Sequence, residues 1–482
     1  MFDQGVMSLH RISNRRLCLL LGIFIFGYSW LAGACLQLWV IPKLFSNAGA
    51  SDGLVVLDSI GFDRIAKVRA IEIVNQGWSA WELRPQGQSP AGIATLFYVL
   101  FGSSPLSMLP FNATVHALSA CMVMVVFRNY FSAVPAMIGA LFFSLNPASL
   151  EWVAQIHRDG IFILGNLLLI HGLMSFSRQY EANADQRPWH LLSLVVIPIV
   201  GSLLIWVARP YWLQVMLATF LVSSVVFIFV GLSRRGRISK RRMACLTAML
   251  VSVAAFQFSL IRFFSPFDPV VMPDMTNMAS DLGSGKGSGK RSGGGLPSGP
   301  VSGSDFEPVL EPLTPHSFVW RQSEWLPMFI ERRFYGIVLF RLGVIKTGGN
   351  TLADPDQLLD SAGAIIEYVP RALQLGILSP LPNLWGGQAS TPAMTMARKV
   401  MGAVTVLFYA CLVGTAMGLY RMRKLLALWV MIGTCCFAIL IYAITYPNIG
   451  SLVRFRYGFY MLLVGFGVAS WCNLLWFRKK LN

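Results

Sequence analysis

Charge is scarce in this chain. Asp, Glu, Lys and Arg make up 13% of its 482 residues, about half the share of a soluble globular protein. Hydrophobic residues make up 55%, and the mean hydropathy is +0.59. A soluble multidomain enzyme cannot hide that much apolar surface, and a disordered chain would not carry it. Ten segments contain no charged residue at all: 17–42, 106–127, 133–150, 160–176, 191–208, 211–231, 244–261, 400–420, 425–446 and 457–477. Each is near the roughly 20 apolar residues that a membrane-crossing helix needs. Cysteine is equally confined. All eight (Cys18, Cys35, Cys121, Cys245, Cys411, Cys435, Cys436 and Cys472) fall in these segments or at their ends, without metal-ligand spacing, which excludes a disulfide-stapled outer domain.

What is there reads as an all-α polytopic membrane protein of about ten transmembrane helices. The first segment is too long for a signal-peptide core and reads as a retained helix. The stretch 91–102 is too short to cross and is expected at the interface or as a re-entrant helix. Basic residues set the orientation, because short loops rich in Lys and Arg stay in the cytoplasm. With both termini inside, the cytoplasmic segments hold eighteen Lys and Arg, against four in the short outward loops. The net charge of +17 is thus mostly a cytoplasmic rim meeting anionic lipid rather than a nucleic-acid surface.

The chain then divides into an N-terminal membrane core, 1–261, with a first outward loop at 43–90; a large outward loop, 262–399; and C-terminal membrane helices, 400–482. Within the large loop, 280–304 has nine Gly, seven Ser and two Pro among 25 residues and reads as a flexible tether. Helical patterns follow at 321–343 and 356–376, the second of them amphipathic and expected on the membrane surface.

Ionisable groups at membrane depth mark pumps and transporters. Here only His116 and His171 are available, and a structural polar contact is the simpler reading of both. The chemistry-capable residues collect instead at the outer boundary. Asp58, Phe62 and Ala66 stand four residues apart, on one face of a helix beginning near Asp58, which suits either a general base above the bilayer or a helix cap. Asp52 and Asp63 are nearby alternatives. Arg158 and Asp159 sit where the fourth spanning segment starts; Asp159 complements the helix dipole, and Arg158 can reach an anion. Arg209, Arg454 and Arg456 share that level, against the positive-inside bias, and either a lipid headgroup or a dedicated phosphate or carboxylate partner accounts for them. Glu367 and Arg371 are spaced as a surface pair. Pro380, Pro382 and Trp385 fit an interfacial anchor or the wall of a sugar pocket.

Together, Asp58-x3-Phe62-x3-Ala66, the LFYVLFG segment, NPASLEW…RDG at the third outward corner and VRFRYGFY before the last helix resemble the GT-C superfamily of membrane glycosyltransferases. The likeness is to its bacterial branch, akin to the dolichyl-phosphate-mannose and aminoarabinose transferases. The resemblance covers 1–260 and, more loosely, 365–475. It implies transfer of a sugar from a polyprenyl-phosphate donor to a glycan or lipid acceptor at the periplasmic face of a bacterial inner membrane. Asp58 would be the base, with Asp63 as second candidate, and Arg158, Arg209, Arg371, Arg454 and Arg456 would hold the lipid phosphate. No motif requires a cofactor. Many relatives carry a second acid beside the first Asp, whereas Ser59 stands here, which leaves dependence on a divalent cation open. The alternatives are a Wzy-like polysaccharide polymerase, which usually has two large outward loops, and a lipid-linked saccharide transporter, which calls for internal repeats and mid-membrane polar residues.

Overall fold

A computed structural model describes residues 14–44, 52–181, 188–233, 240–264, 318–346, 351–386 and 392–478. The tether 280–304 lies outside the described residues, as do Arg11, Arg187, Arg234, Arg235, Arg237, Lys479 and Lys480. The first helices are α1 (Asn14–Cys35), α2 (Leu57–Gln76), α3 (Ser89–Phe101), α4 (Leu109–Phe127) and α5 (Ala133–Ser144). Next come α6 (Asp159–Glu181), α7 (Pro188–Ala208), α8 (Trp212–Ser233), α9 (Lys240–Phe264) and α10 (Met328–Lys346). The last are α11 (Ala362–Leu378), α12 (Pro392–Arg421), α13 (Leu426–Thr445), α14 (Ile449–Phe455) and α15 (Tyr457–Arg478).

Among the described residues nine helices are long and apolar enough to cross a membrane. A tenth span forms if α5 is counted with the short helical pair Pro147–Val153, bent from it by 55°. The chain is an all-α polytopic membrane protein, and each of the ten expected spans is helical, the third of them broken; the helices expected at 321–343 and 356–376 begin later, at Met328 and Ala362. The bend follows from Asn146-Pro147. Proline disfavours a helical residue before it and lacks the N–H that a continuing helix uses, while the Asn146 side chain caps the new turn by accepting from Ala148 N at 2.9 Å. Helix α3 has 13 residues, about 20 Å at 1.5 Å per residue, too short for the roughly 30 Å hydrocarbon core.

The chain forms two compact units. The first contains 1–267, 372–443 and 449–482; the second contains 268–371 with 444–448. One boundary falls inside α11, and the second unit takes in Ile444–Asn448, the last two residues of α13 and the three that follow it.

In the first unit, lipid supplies no hydrophobic drive between spans, so close backbone approach and satisfied polar groups hold them together. Helices α12 and α15 illustrate this. A Cβ on Gly467 would lie 1.9 Å from the Cys411 carbonyl oxygen and 2.6 Å from Thr415 Oγ1. Thr415 Oγ1 in turn donates to Leu463 O at 2.7 Å. His116 is a structural contact of the expected kind, its Nε2 2.9 Å from Ser144 O. Among the described residues no hydrogen-bond partner lies on His171 Nδ1.

In the second unit α10 buries Glu331, Tyr335, Val338 and Arg341. Glu331 accepts from Trp320 Nε1 at 2.9 Å and from the Ser323 amide at 3.0 Å. Arg341, 1% exposed, donates to Ile444 O at 3.1 Å and Asp354 O at 3.0 Å. The amphipathic pattern expected on a membrane surface belongs to α11, but its apolar residues Ile365, Ala372 and Leu375 are buried in protein. Amphipathicity reports that one face is apolar and does not say what covers it.

Candidate functional site

The connections after the first, third, fifth and ninth spans all emerge at one end of the bundle, and their polar residues meet there. The first is held by a clamp. Gln155 Nε2 donates to Gly53 O at 3.1 Å, and its Oε1 accepts from Val55 N at 3.0 Å and Val56 N at 3.4 Å. Ser59 Oγ donates to Ile156 O at 3.1 Å, and Asn112 Nδ2 donates to Val153 O and Gln155 O, both at 3.0 Å. Gln37, on the single π-helical turn Leu36–Val40 that follows α1, donates to Ala154 O at 2.6 Å. Gly53 is required in this clamp, since its φ is +77° and a Cβ would lie 2.4 Å from the Gln37 carbonyl oxygen. The start of α2 is thereby fixed against the corner that presents His157, Arg158 and Asp159.

Asp159 opens α6, where the helix dipole favours a carboxylate. It is 3% exposed, and each oxygen receives one arginine. Arg209 donates to Oδ1, and Arg454 Nε donates to Oδ2 at 2.7 Å. Arg209, 1% exposed, stands in the Ala208–Trp212 turn between α7 and α8, where Pro210 ends the first helix. Its guanidinium lies over the rings of Phe162 at 4.6 Å and Phe455 at 4.3 Å and donates to Tyr442 Oη at 3.1 Å. Trp212 stacks on Tyr442 with centroids 4.1 Å apart.

Arg454, the penultimate residue of α14, links this buried pair to the open side. Its Nη2 donates to His157 Nδ1 at 2.8 Å. A guanidinium cannot accept, so Nδ1 is the acceptor and the imidazole proton sits on Nε2. Burial, against the upward pull of the Asp159 carboxylate and with the help of the Arg454 charge, pushes His157 down to about 4, so the ring is neutral at pH 7. Above lie two carboxylates at longer range: Asp58 Oδ2 is 3.9 Å from Arg454 Nη1, and Glu151 Oε1 is 3.8 Å from Nε. The Asp58 side chain is 55% exposed, against 5% for Asp159. Asp58 sits in the first turn of α2 and Val56 is the cap residue with no side-chain cap bond, so Asp58 does not cap this helix. A buried ion pair thus underlies a more open pair of carboxylates, with Arg454 between them.

Asp58, Asp159, Arg209 and Arg454 are brought together here. Arg158 is half-buried beside them and makes no ion pair among the described residues. Arg456 is not in the group. It is 2% exposed, donates to the carbonyls of Leu375, Gly376 and Ser379, and lies 4.3 Å over the Tyr460 ring, which takes it out of reach of a phosphate. Asp63 is buried too: it accepts from Tyr98 Oη at 2.5 Å and pairs with Lys67 at 2.9 Å, joining α2 to α3 rather than facing a substrate. Lys67 also pairs with Asp52 at 2.6 Å.

Arg371 belongs to the second unit. It grips Asp354 through Nε at 2.9 Å and Nη2 at 3.0 Å, instead of pairing with Glu367, and that hydrogen bonding holds the Asp354 carboxyl below its ordinary range. Asp354, Gln357, Glu367, Tyr368 and Arg371 line an open polar cavity of about 290 Å³. Trp385 is half-exposed, and its Nε1 donates to Pro380 O at 2.8 Å.

Sequence reasoning passed over Glu151, His157 and Tyr442. A histidine between the apolar Ile156 and the charged Arg158-Asp159 step was the available signal for one of them. Among the described residues no group of three or more His, Cys, Asp and Glu is placed to hold a metal ion. No family model, curated protein or solved structure matches the chain.

Proposed function

We propose that the chain is a membrane glycosyltransferase of the GT-C kind. It would move a sugar from a polyprenyl-phosphate donor to a glycan or lipid acceptor at the periplasmic face of a bacterial inner membrane, with both termini in the cytoplasm. The observation that carries this reading is the open Asp58 carboxylate, 3.9 Å from an arginine that Asp159 and His157 hold in place.

Asp58 takes the proton of the acceptor hydroxyl. The hydroxyl oxygen attacks the anomeric carbon from the face opposite the phosphate. The bond from that carbon to the phosphate oxygen breaks, and its electron pair stays on the departing polyprenyl phosphate. The configuration inverts. Arg454, with Arg158 beside the same corner, steadies the charge that grows on the phosphate. Arg209 works at one remove, holding Asp159 and through it Arg454.

The test is to incubate the purified protein with a radiolabelled polyprenyl-phosphate sugar and candidate acceptors, beside Asp58→Asn. Single-sugar transfer that collapses in the variant is expected. Full activity in Asp58→Asn removes Asp58 as the base, and product growth by whole repeat units identifies a polymerase instead.

A further inference from the structure

Helix α10 carries an outward face that its own unit leaves uncovered. Glu331, Tyr335, Val338 and Arg341 turn inward. On the opposite side, and just before the helix, Trp325 (63% exposed), Phe329 (71%) and Phe340 (48%) are open, and so are Arg332 and Arg333. Within the helix, residues 329, 332, 333 and 340 keep to one side of a 3.6-residue repeat, and Trp325 lies in the turn before it. Phe329 to Phe340 covers about 16 Å of helix at 1.5 Å per residue. The sole acid within α10 is the inward Glu331, so this face is aromatic and basic with no carboxylate of its own. Glu324 precedes it outside the helix.

The same helix is tied to the end of a membrane span. Helix α13 is apolar enough to cross through Thr445. Arg341 Nη1 bonds the Ile444 carbonyl at 3.1 Å, and the Phe340 ring stands edge-on to Tyr446, centroids 5.1 Å apart. Phe340 therefore packs one residue past the end of a helix apolar enough to cross, and headgroup depth is where such a helix would leave the hydrocarbon. Aromatic residues concentrate at that depth, and guanidinium groups beside them meet lipid phosphates.

We infer that α10 lies along the lipid surface, with Trp325, Phe329 and Phe340 at headgroup depth and Arg332 and Arg333 on the phosphates of anionic lipid. This docking does not depend on the transferase reading, and nothing in its test measures sugar transfer.

The experiment uses the full chain in nanodiscs of equal parts phosphatidylcholine and phosphatidylglycerol. The exposed Cys245 is replaced by serine, and a nitroxide is attached at Phe329→Cys or, as a polar reference on the same unit, at Gln357→Cys. Accessibility to molecular oxygen and to a water-soluble nickel chelate is read by electron paramagnetic resonance. The expected result is a severalfold higher ratio of oxygen to nickel accessibility at 329 than at 357. That ratio should fall in Arg332→Glu/Arg333→Glu and, with no further substitution, in nanodiscs of phosphatidylcholine alone. A label at 329 as open to nickel as that at 357 overturns the proposal. So does a label closed to both reagents, which would place protein over the face, either residues 265–317 or a second copy of the chain. A ratio at 329 indifferent to lipid charge removes the role given to the two arginines.

Discussion

Arg454 and Asp159 are 295 residues apart in the chain and joined by an Nε to Oδ2 hydrogen bond of 2.7 Å. The bond brings the connection before the last span to the start of the fourth. Because Arg209 takes the other carboxylate oxygen, Asp159 carries most of the burden of keeping two arginines in a dry place. Removing one partner of such a buried arrangement leaves a charge uncompensated.

Asp159→Ala is accordingly expected to lower stability by about 3–5 kcal/mol. Arg209→Met should cost a similar amount, and Asp159→Leu/Arg209→Met should recover part of it, because the second change removes one of the two charges that loss of Asp159 strands. Thermal unfolding of the detergent-solubilised variants checks this, and strictly additive losses would contradict it.

Asp58→Asn should behave in the opposite way. Its side chain is 55% exposed and caps nothing, so the unfolding midpoint should stay near that of the wild type. Loss of the base is expected to slow sugar transfer by about 10²–10⁴-fold. A large stability change would reassign Asp58 to the fold.

Two arginines that look alike in sequence should separate in the same assay. Arg454→Gln removes a hydrogen bond to Asp159 and one to His157 and should slow transfer by about 10²–10³-fold, the range for a lost transition-state donor. Arg371→Gln breaks an ion pair with Asp354 in which the arginine side chain is 42% exposed. Its cost is expected to stay within about 1 kcal/mol, with transfer unchanged. Equal loss in both variants would return Arg371 to the phosphate-binding set.

Acid should weaken the fold through His157. Burial pushes its pKa from 6.5 to about 4, so between those values the unfolded chain binds a proton that the folded chain resists. The stability associated with the neutral ring is complete above about pH 6.5 and is lost as the pH falls through 4, a change on the order of 3 kcal/mol. In His157→Gln the slope over this window should flatten. Unfolding midpoints measured across the window decide it, and identical slopes in the two proteins would sink the assignment.

Packing between α12 and α15 is tested by Gly467→Ala. Its new methyl would meet the Cys411 carbonyl at 1.9 Å, and relieving that clash should cost about 1–3 kcal/mol or more. Gly433→Ala, where a Cβ meets nothing within 4 Å, is the matched control and should leave the unfolding midpoint where it was.

The ten apolar segments could be read directly because a span depends on run length and composition, both local properties. The break at Asn146-Pro147 also lay in the sequence as a proline step, and so did the pull of Asp58, Arg158 and Asp159 toward the span ends. The amphipathic repeat of α11 was equally visible, but not that Ile365, Ala372 and Leu375 would be buried in protein. The aromatic-basic face of α10 stood in the sequence as Trp325, Phe329, Arg332, Arg333 and Phe340 without any sign that it would stay open.

The amino-acid sequence by itself determined that this is a multi-span helical membrane protein with its ionisable groups kept to the ends of the helices. Only tertiary structure decided which of those groups meet. Arg454 and Arg456 are two residues apart, but Arg454 lies in the last turn of α14 and Arg456 in the break between α14 and α15. One arginine therefore faces Asp159, His157 and Asp58, while the other is driven into the carbonyls of Leu375, Gly376 and Ser379. Charge and spacing are the same for both residues in the sequence. The difference arises because a buried guanidinium must find acceptors wherever the packed chain places them.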